Sequence, residues 1–194
     1  VYTSKEFQPM VETFSNKYYF VGPSVANTIV EIKERNRKRI YISLGTVNNK
    51  NIKFYKNCIK AFKDTSFDVI MSIGNSTKIK NLGNIPSNFK IENSVEQIKV
   101  LQETDIFITH CGMNSINESL YYGIPMVLFP QHSEQKMVAE RVEKFGAGVM
   151  LKKDKPEYIK SAVIKVINSN EYKENSKNIS KSFHNAGGAK RAAD

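Results

Sequence analysis

A run of apolar and β-branched residues over 106–109 gives way abruptly to the segment His-Cys-Gly-Met-Asn-Ser at 110–115. This change of pattern predicts a buried strand, a tight turn and the start of a helix. His110 would stand at the carboxyl end of that strand, and Gly112 would let the backbone approach a ligand closely. Because the first amides of a helix have no partner within it, the turn predicts a phosphate-binding site.

Glu118 follows Asn114 by four residues, so both would lie on one face of the predicted helix. A carboxylate there can accept hydrogen bonds from sugar hydroxyls, and one element could then hold both a diphosphate and a ribose. Simpler interpretations stay open for each residue taken alone. Asn114 and Ser115 could be helix-capping residues, His110 a hydrogen-bonded histidine at a strand end, and Glu118 a solvated charge.

Strand and helix patterns alternate along the rest of the chain. Strands are predicted for residues 39–44, 67–73, 89–92, 105–109 and 125–129 and around Val149, with a loop over 74–88. Helices are predicted for residues 27–34, 96–102 and, as the last one, 172–183. Apolar stripes at helical spacing mark three more helices, at Tyr55, Cys58, Ile59 and Phe62, at Val138, Val142 and Phe145, and at Ile159, Val163, Val166 and Ile167.

Because parallel strands need long crossovers, this alternation predicts an α/β fold, a Rossmann-like parallel sheet with helices on both faces. Such sheets bind ligands beyond the carboxyl ends of the strands, at the point where the strand order reverses. The residues expected to converge there are Gly45, Thr46, Val95, His110, Glu134 and Gln135.

The composition, with 40% hydrophobic and 25% charged residues, is that of an ordinary globular domain. No apolar run approaches the ~20 residues of a membrane-spanning helix, and the first residues lack the pattern of a secretory signal. The spacing of Cys58 and Cys111 suggests neither a disulfide framework nor a zinc site. We therefore expect a cytoplasmic protein.

The formal charge of +10 makes an anionic partner a hypothesis to weigh. Apart from a basic run over residues 33–39, the positive residues are scattered, without interleaved aromatic residues or a nucleic-acid docking motif. We expect no nucleic-acid partner.

The run from Phe107 to Gly148 also contains Gly-Ile-Pro-Met-Val-Leu-Phe-Pro at 123–130, Ser-Glu-Gln at 133–135 and Gly-Ala-Gly at 146–148. It resembles the donor-binding signature of the UDP-glucuronosyl/UDP-glucosyltransferase family, and most closely its bacterial macrolide-glycosyltransferase branch. Residues 40–46 resemble the opening strand of that family's second domain, and residues 20–24 its interdomain entry. The resemblance covers nearly the whole chain and implies the C-terminal domain of a GT-B glycosyltransferase.

The resemblance implies that His110 contacts the diphosphate, that the groups around Gly112 hold the distal phosphate, and that Glu118 takes the ribose hydroxyls. Glu134 and Gln135 match the positions that hold the transferred sugar, although the first of that pair is usually Asp. The implied donor site comprises Thr46, Val95, Gln97, His110, Gly112, Met113, Asn114, Ser115, Glu118, Glu134 and Gln135.

Base recognition departs from the family pattern. The family commonly carries an aromatic residue, a small or β-branched one, Pro and Gln where this chain has Ser94, Val95, Glu96 and Gln97. Val95 could offer its backbone amide and carbonyl to a pyrimidine, and Gln97 could reach the ribose, but Ser94 cannot stack on the base. The sequence thus leaves open whether the donor is UDP-linked or TDP-linked, and which sugar is transferred.

The resemblance implies the donor-binding half of an inverting glycosyltransferase that transfers a hexose to a hydroxyl of a small-molecule acceptor, without cofactor or metal. Its general base is implied to be a histidine of an N-terminal acceptor domain absent from this chain, so we assign no catalytic residue here, His132 included. Residues 1–24 would be an interdomain connector and residues 25–194 the donor domain. Two alternatives are a standalone donor subunit of a split N-acetylglucosaminyltransferase with a membrane-tethered partner, and a non-enzymatic nucleotide-binding or nucleic-acid-binding module.

Overall fold

A parallel sheet of six strands forms the centre of the structure, which is a computed structural model describing residues 1–25, 35–46 and 49–193. All five pairs of neighbouring strands are parallel, which confirms the predicted Rossmann-like α/β fold. In chain order the strands are β1 (Arg39–Ser43), β2 (Asp68–Ser72), β3 (Phe89–Glu92), β4 (Ile106–Thr109), β5 (Met126–Leu128) and β6 (Gly148–Met150).

Seven helices connect and cover the strands in the described part of the chain. They are α1 (Ile52–Phe62), α2 (Gln97–Gln102), α3 (Met113–Tyr121), α4 (Ser133–Lys144), α5 (Pro156–Ile167), α6 (Asn170–Asn185) and α7 (Gly188–Ala193). Short 3-10 turns at Val11–Thr13 and Ile79–Leu82 complete the elements, and the second interrupts the predicted loop over 74–88. The helix predicted for residues 27–34 lies outside the described residues.

The prediction that the last helix spans residues 172–183 is wrong, because α6 is longer and α7 follows it. Gly187 and Gly188 both adopt left-handed backbone, with φ of 95° and 63°, and this turns the chain after α6. The sequence Ala-Lys-Arg-Ala-Ala beyond them has high helix propensity and forms the further turn of helix. The two glycines therefore mark the boundary between α6 and α7.

The strand order is β3-β2-β1-β4-β5-β6, so the chain reverses direction across the sheet between β1 and β4. It builds outward from β1 through β2 to β3, then returns to the other side of β1 to lay down β4. The last residue of β1, Ser43, is in register with Thr109, the last residue of β4. The carboxyl ends of these two strands consequently form the crevice that such sheets use for ligands.

Each face of the sheet has its own apolar core because successive side chains of a strand point to opposite sides. Ile40 and Ile42 of β1 are fully buried in one core, together with apolar residues of α1 and α5. Tyr41, between them, belongs to the other core, which includes residues of α3, α4 and α6. Helices on both faces are thus confirmed. No helix in the described ranges is long and apolar enough to cross a membrane.

Residues 1–24, the predicted interdomain connector, pack closely against the rest of the domain. Phe7 is only 4% exposed and contacts the rings of Phe145 and Phe183 at centroid distances of 5.4 and 5.6 Å. The Arg141 guanidinium donates hydrogen bonds to the carbonyl oxygens of Phe7, Glu6 and Gln8. The segment is therefore clamped onto α4 and α6, and its role as an interdomain connector stays a prediction.

This packing predicts that Phe7→Ala lowers the free energy of unfolding by about 3 kcal/mol, the usual cost of truncating a buried aromatic residue. Tyr19→Ala is the matched control, since Tyr19 lies in the same segment and is 69% exposed. Urea unfolding of both variants measures the difference. If the two variants lose equal and small amounts of stability, the segment is not part of the folded core.

Candidate functional site

A cavity of about 440 Å³ opens beyond the carboxyl ends of β1 and β4, where the strand order reverses. Its walls come from the turns after β1, β2, β3 and β4 and from the first turn of α3. The lining residues are Tyr41, Ser43, Gly45, Thr46, Ser72, Gly74, Asn93, Ser94, Val95, Gln97, His110, Gly112, Met113, Asn114 and Ser115. Eight of the eleven residues that the resemblance implies for a donor site are among them, which are Thr46, Val95, Gln97, His110, Gly112, Met113, Asn114 and Ser115.

The turn after β4 has an unusual backbone conformation. Cys111 has a left-handed φ of 68°, and its side chain is fully buried. A non-glycine residue pays of order 1 kcal/mol for this conformation, and residues held in it cluster at functional sites. The Thr109 hydroxyl accepts a hydrogen bond from the Cys111 amide at 3.2 Å, which helps to hold the turn. As a result Cys111 points into the core while His110 and Gly112 line the cavity.

The His110 ring lies between two glycines. A Cβ added to Gly45 would stand 2.5 Å from His110 Cε1, and one added to Gly112 would stand 2.6 Å from His110 Nε2. Gly45 also has a left-handed φ of 78°, which disfavours any other residue. The two glycines therefore let the turns after β1 and β4 approach the ring from both sides and fix its position.

Burial lowers the pKa of His110 below its usual value of 6.5, and the charge of His132 adds to this effect. The Ser43 backbone lies close enough to oppose the shift in part. Even so, Nδ1 is buried and has no hydrogen-bond partner among the described residues. A neutral imidazole carries one N–H donor and one acceptor, so at neutral pH the ring can donate one hydrogen bond to a ligand.

The N-terminus of α3 points its free amides to the same cavity. Gly112 precedes the helix and has no side chain that could cap it, and the first intrahelical bond runs from the Ile116 amide to the Gly112 carbonyl. The amides of the first turn thus have no acceptor within the helix, and they carry the positive end of its dipole. Together with His110 they offer several hydrogen-bond donors to one anion.

A chain of hydrogen bonds joins Tyr41 of β1 to Gln97 of α2, and Gln97 to two residues of α3. The Tyr41 hydroxyl donates to Gln97 Oε1 at 3.0 Å. Gln97 Nε2 donates in turn to Glu118 Oε2 at 2.6 Å and to the Ser115 hydroxyl at 3.2 Å. Glu118 itself does not line the cavity, so Gln97 lies between this carboxylate and the open space. The structure thereby joins three residues of the implied donor site and adds Tyr41.

Glu134 and Gln135 do not line this cavity, contrary to the expected convergence. Gln135 is buried, and its Oε1 accepts a hydrogen bond from the Gln131 amide at 2.9 Å, so its side chain closes the loop before α4. Glu134 is exposed in the first turn of α4 and lines a separate, mostly apolar cavity that also includes Met113. Met113 thus lines both cavities. That Glu134 and Gln135 hold the transferred sugar stays a prediction.

Residues 39–187 match the sequence profile of the family described as UDP-glucoronosyl and UDP-glucosyl transferase. The chain belongs to this family. It is 42% identical over 199 residues to the NDP-glycosyltransferase YjiC of Bacillus subtilis (strain 168), and the match covers 100% of this chain and 51% of that protein. It is 38% identical over 201 residues to the uncharacterized UDP-glucosyltransferase YojK of the same organism, covering 100% of this chain and 50% of that one.

Among solved structures, the chain is similar to the calicheamicin glycosyltransferase CalG4, with a TM-score of 0.90 and 30% identity over 100% of this chain and 51% of that one. The glycosyltransferase of kitacinnamycin gives a TM-score of 0.89 at 28% identity, over 99% of this chain and 52% of that one. Both carry a GT-B fold. The chain spans about half the length of these relatives, which corresponds to one domain of a UDP-glycosyltransferase, and the expected GT-B C-terminal domain fold is confirmed.

Sequence reasoning missed several residues of this UDP-glycosyltransferase domain. Ser43 and Ser72 end their strands, so the rule that ligands bind at carboxyl strand ends could have found both. Asn93 has no such signal: its Nδ2 donates to the carbonyl oxygens of Gly74 and Thr77, joining the turns after β2 and β3. Tyr41 was missed because its aromatic ring fits the pattern of an apolar strand, which gives no sign that its hydroxyl reaches the cavity.

No cluster of three or more His, Cys, Asp or Glu side chains able to hold a metal ion occurs within residues 1–25, 35–46 and 49–193. Cys58 and Cys111 are both free and buried, and burial raises the pKa of Cys111 to about 12. A thiol with that pKa stays protonated at neutral pH and is a poor nucleophile.

The lowered pKa of His110 predicts a specific dependence of stability on pH. Between this lowered value and the unfolded value near 6.5, the unfolded chain binds more protons than the folded one. The free energy of unfolding should therefore fall as the pH drops from 7 toward 5, by at most about 1.4 kcal/mol per unit from this residue. Urea unfolding at several pH values should show a smaller slope for His110→Gln, while the exposed His184→Gln keeps it. Equal slopes in all three proteins would contradict the buried neutral imidazole.

Proposed function

We propose that this chain is the donor-binding domain of an inverting glycosyltransferase that transfers a hexose from a UDP- or TDP-linked sugar to a hydroxyl of a small-molecule acceptor. One observation carries the proposal. His110 and the uncapped first turn of α3 meet in a single cavity, which Gln97 also lines, and Gln97 is hydrogen-bonded to Ser115 and Glu118 of α3. This arrangement offers donors to a diphosphate and polar groups to a ribose within one cavity.

In the proposed reaction the acceptor oxygen attacks the anomeric carbon while the bond from that carbon to the diphosphate oxygen breaks. Negative charge then grows on the leaving diphosphate. The His110 N–H and the first-turn amides of α3 are fixed donors at that place, and fixed donors stabilise developing charge without having to reorganise. The positive end of the α3 dipole acts in the same direction.

The nucleoside would occupy the walls formed by α2 and the turn after β3. Val95 lines the cavity there and can offer its backbone to a pyrimidine edge, as the family resemblance implies. Gln97 begins α2, lines the cavity and is hydrogen-bonded to Glu118 behind it, so Gln97 would receive a ribose hydroxyl while Glu118 holds its amide in place. Ser94 is exposed at the same wall and gives the base no ring to stack on.

The remaining parts of the proposed reaction lie outside this cavity. Glu134 and Gln135 would hold the transferred sugar, and a second domain would supply the general base that deprotonates the acceptor. Small-molecule acceptors fit the names of the relatives, which include an oleandomycin glycosyltransferase of Streptomyces antibioticus that is 26% identical over 160 residues. Its match covers 81% of this chain and 37% of that protein.

The structure disfavours the nucleic-acid alternative, because the described residues of the basic run form ion pairs with acidic side chains of this chain. Asp105 forms ion pairs with Arg35 and Lys38, at 3.5 and 3.2 Å. Arg37 pairs with Asp68 at 3.8 Å, and Arg39 pairs with Glu103. These cations neutralise acids at the amino-terminal edge of the sheet, on the side away from the cavity. They therefore do not form a free surface for binding a polyanion. No observation favours the split-subunit alternative.

Binding of UDP to this chain tests the proposal directly. A ligand that binds only the folded state raises the melting temperature by mass action. Thermal unfolding with increasing UDP, and separately with TDP, should show such a rise for at least one of them. No change with either nucleotide up to millimolar concentration would overturn the proposed function.

Replacing His110 tests its role toward the diphosphate. His110→Ala should weaken UDP binding roughly tenfold or more, because a hydrogen bond to a charged group contributes about 1.5 to 3 kcal/mol. Uridine, which lacks the phosphates, should bind almost as to the unchanged protein. Glu118→Ala should weaken both ligands alike, since both carry the ribose, and the exposed His184→Ala is the control. Isothermal calorimetry gives the ratio of UDP to uridine affinity, and an unchanged ratio in His110→Ala would remove this residue from the site.

Introducing an aromatic ring tests the position of the base. Ser94→Trp should tighten UDP binding by about tenfold, within the roughly 1 to 3 kcal/mol that stacking of a base on an aromatic side chain provides. Ser94→Leu is the matched control, because it adds apolar surface without a planar ring. Equal or weaker UDP affinity in Ser94→Trp would show that the base does not lie against residue 94.

A further inference from the structure

Helix α1 carries a row of lysines along the side that faces solvent. Its apolar residues are buried in the core that it shares with α5, and this burial fixes the rotation of the helix. The exposed positions Lys53, Lys56 and Lys60 are spaced by three and four residues, so they lie on one face of the helix. Residues 50–63 contain no acidic residue. The helix therefore presents positive charge alone to solvent.

Two loops that adjoin α1 add further exposed lysines. The turn Ile79–Leu82 packs against α1, and its Leu82 lies in the same core. Helix α5 also packs against α1, and the loop that leads from β6 into α5 is rich in lysine. We call the exposed lysines of α1 and of these two loops the lysine face, which comprises Lys53, Lys56, Lys60, Lys78, Lys80, Lys152, Lys153 and Lys155.

The hydrogen bonds of Asp154 tie the loop before α5 to α1. The Asn57 side-chain amide donates to Asp154 Oδ1 at 2.9 Å and to the Asp154 carbonyl oxygen at 3.1 Å. The carboxylate among these lysines is thus held by a neutral amide of α1. Glu157, in the first turn of α5, is the other acid of this region.

The lysine face keeps its charge free. None of its eight lysines forms an ion pair with any residue in the described ranges. On the other side of the sheet the lysines are mixed with acids: Lys99 of α2 pairs with Glu96 at 2.7 Å, and Lys136 of α4 pairs with Glu140 at 3.8 Å. Free positive charge is therefore concentrated on the side of α1.

We propose that the lysine face docks on the surface of an anionic phospholipid bilayer. Clusters of about four to eight cationic side chains on one surface are typical of proteins that bind anionic lipid headgroups. Lysine suits such a surface, because its long stem lets the ammonium group reach the headgroups without burial of the charge. This inference goes beyond the donor site and does not depend on it.

An apolar residue within the lysine face favours a bilayer over a nucleic acid. Ile79 is 37% exposed and stands between Lys78 and Lys80. An exposed isoleucine flanked by lysines fits the boundary between headgroups and acyl chains, where apolar side chains are buried. A phosphate backbone offers it no such burial. The lysine face also contains no arginine, the residue that binds phosphates in bidentate fashion.

Sedimentation of the full chain with lipid vesicles tests the proposal. Vesicles of phosphatidylcholine and phosphatidylglycerol in equal parts should bind it, and vesicles of phosphatidylcholine alone should bind it about tenfold more weakly or worse. Raising the salt from about 0.1 M to about 1 M should release the protein, because the screening length falls from about 10 to about 3 Å. Equal binding to neutral vesicles would overturn the proposal.

A triple variant locates the binding surface. Changing Lys53, Lys56 and Lys60 together to Gln should weaken binding to the anionic vesicles by about a hundredfold, because each lysine near such a surface contributes a factor of about five. Gln is a good helix former, so α1 should stay folded, and urea unfolding verifies this. Changing the same three lysines to Arg retains the charge and should retain the binding.

The matched control removes three positive charges from the other side of the sheet. Lys99, Lys136 and Lys181 are exposed on α2, α4 and α6, whose buried apolar residues belong to the other core. Changing them together to Gln should weaken vesicle binding by about twofold or less, because distant charges are screened. If both triple variants lose the same affinity, binding follows net charge and the lysine face is not a docking surface.

Ile79→Ser distinguishes a bilayer from another polyanion. It should weaken binding to the anionic vesicles by about fivefold, through the loss of apolar burial, and leave any binding to duplex DNA unchanged. Tighter binding to duplex DNA than to anionic vesicles at equal phosphate concentration would overturn the proposal, and so would an unchanged vesicle affinity in Ile79→Ser. Failure of UDP to bind would overturn the proposed function and leave this inference standing.

Discussion

The close approach of two turns around the His110 ring is the constraint on which the site depends. Gly45 after β1 and Gly112 after β4 each stand where an added Cβ would meet the ring at 2.5 and 2.6 Å. The ring is therefore a spacer between two backbone segments as well as a hydrogen-bonding group. Because Cys111 takes a left-handed φ and buries its side chain, the same turn aims His110 at the cavity and starts α3 beside it. Core packing on one side of the turn offsets the strain that the site requires on the other.

Most of the fold could be predicted, because the periodicity of the apolar residues and the order of strands and helices along the chain determine it. Alternation in β1 and β4 separates Ile40 and Ile42 from Tyr41, and the structure places them in different cores. The site was less predictable, since its residues come from four strand ends and strand order had to be assumed. The sequence motif located His110 and the start of α3, but could not show that Gln135 turns back to the Gln131 amide or that Tyr41 reaches Gln97. Such contacts depend on side-chain rotamers, which periodicity does not encode.

Net charge shows the same limit of sequence reasoning. The formal charge of +10 counts signs but not distances. Asp105 receives both Arg35 and Lys38 and also accepts a hydrogen bond from the Arg39 amide at 2.8 Å, so the most basic stretch of the chain closes the amino-terminal edge of β1 and β4. These partly exposed pairs contribute little stability each. Their consequence is positional, because they hold Arg35, Lys38 and Arg39 at the edge of the sheet opposite the cavity.

The cavity has a polarity of its own, and this bears on how the proposed ligand would lie. The neutral His110 ring and the first amides of α3 offer donors to the cavity, whereas Gln97 Oε1, with the Glu118 carboxylate behind Gln97, offers an acceptor. A nucleoside diphosphate has the complementary polarity, with acceptors on the phosphates and donors on the ribose. The reverse placement would bring a phosphate toward Glu118, and like charges repel strongly where water is partly excluded. In the proposed complex, hydrogen-bond polarity would therefore orient the nucleotide even though Ser94 offers the base no ring to stack on.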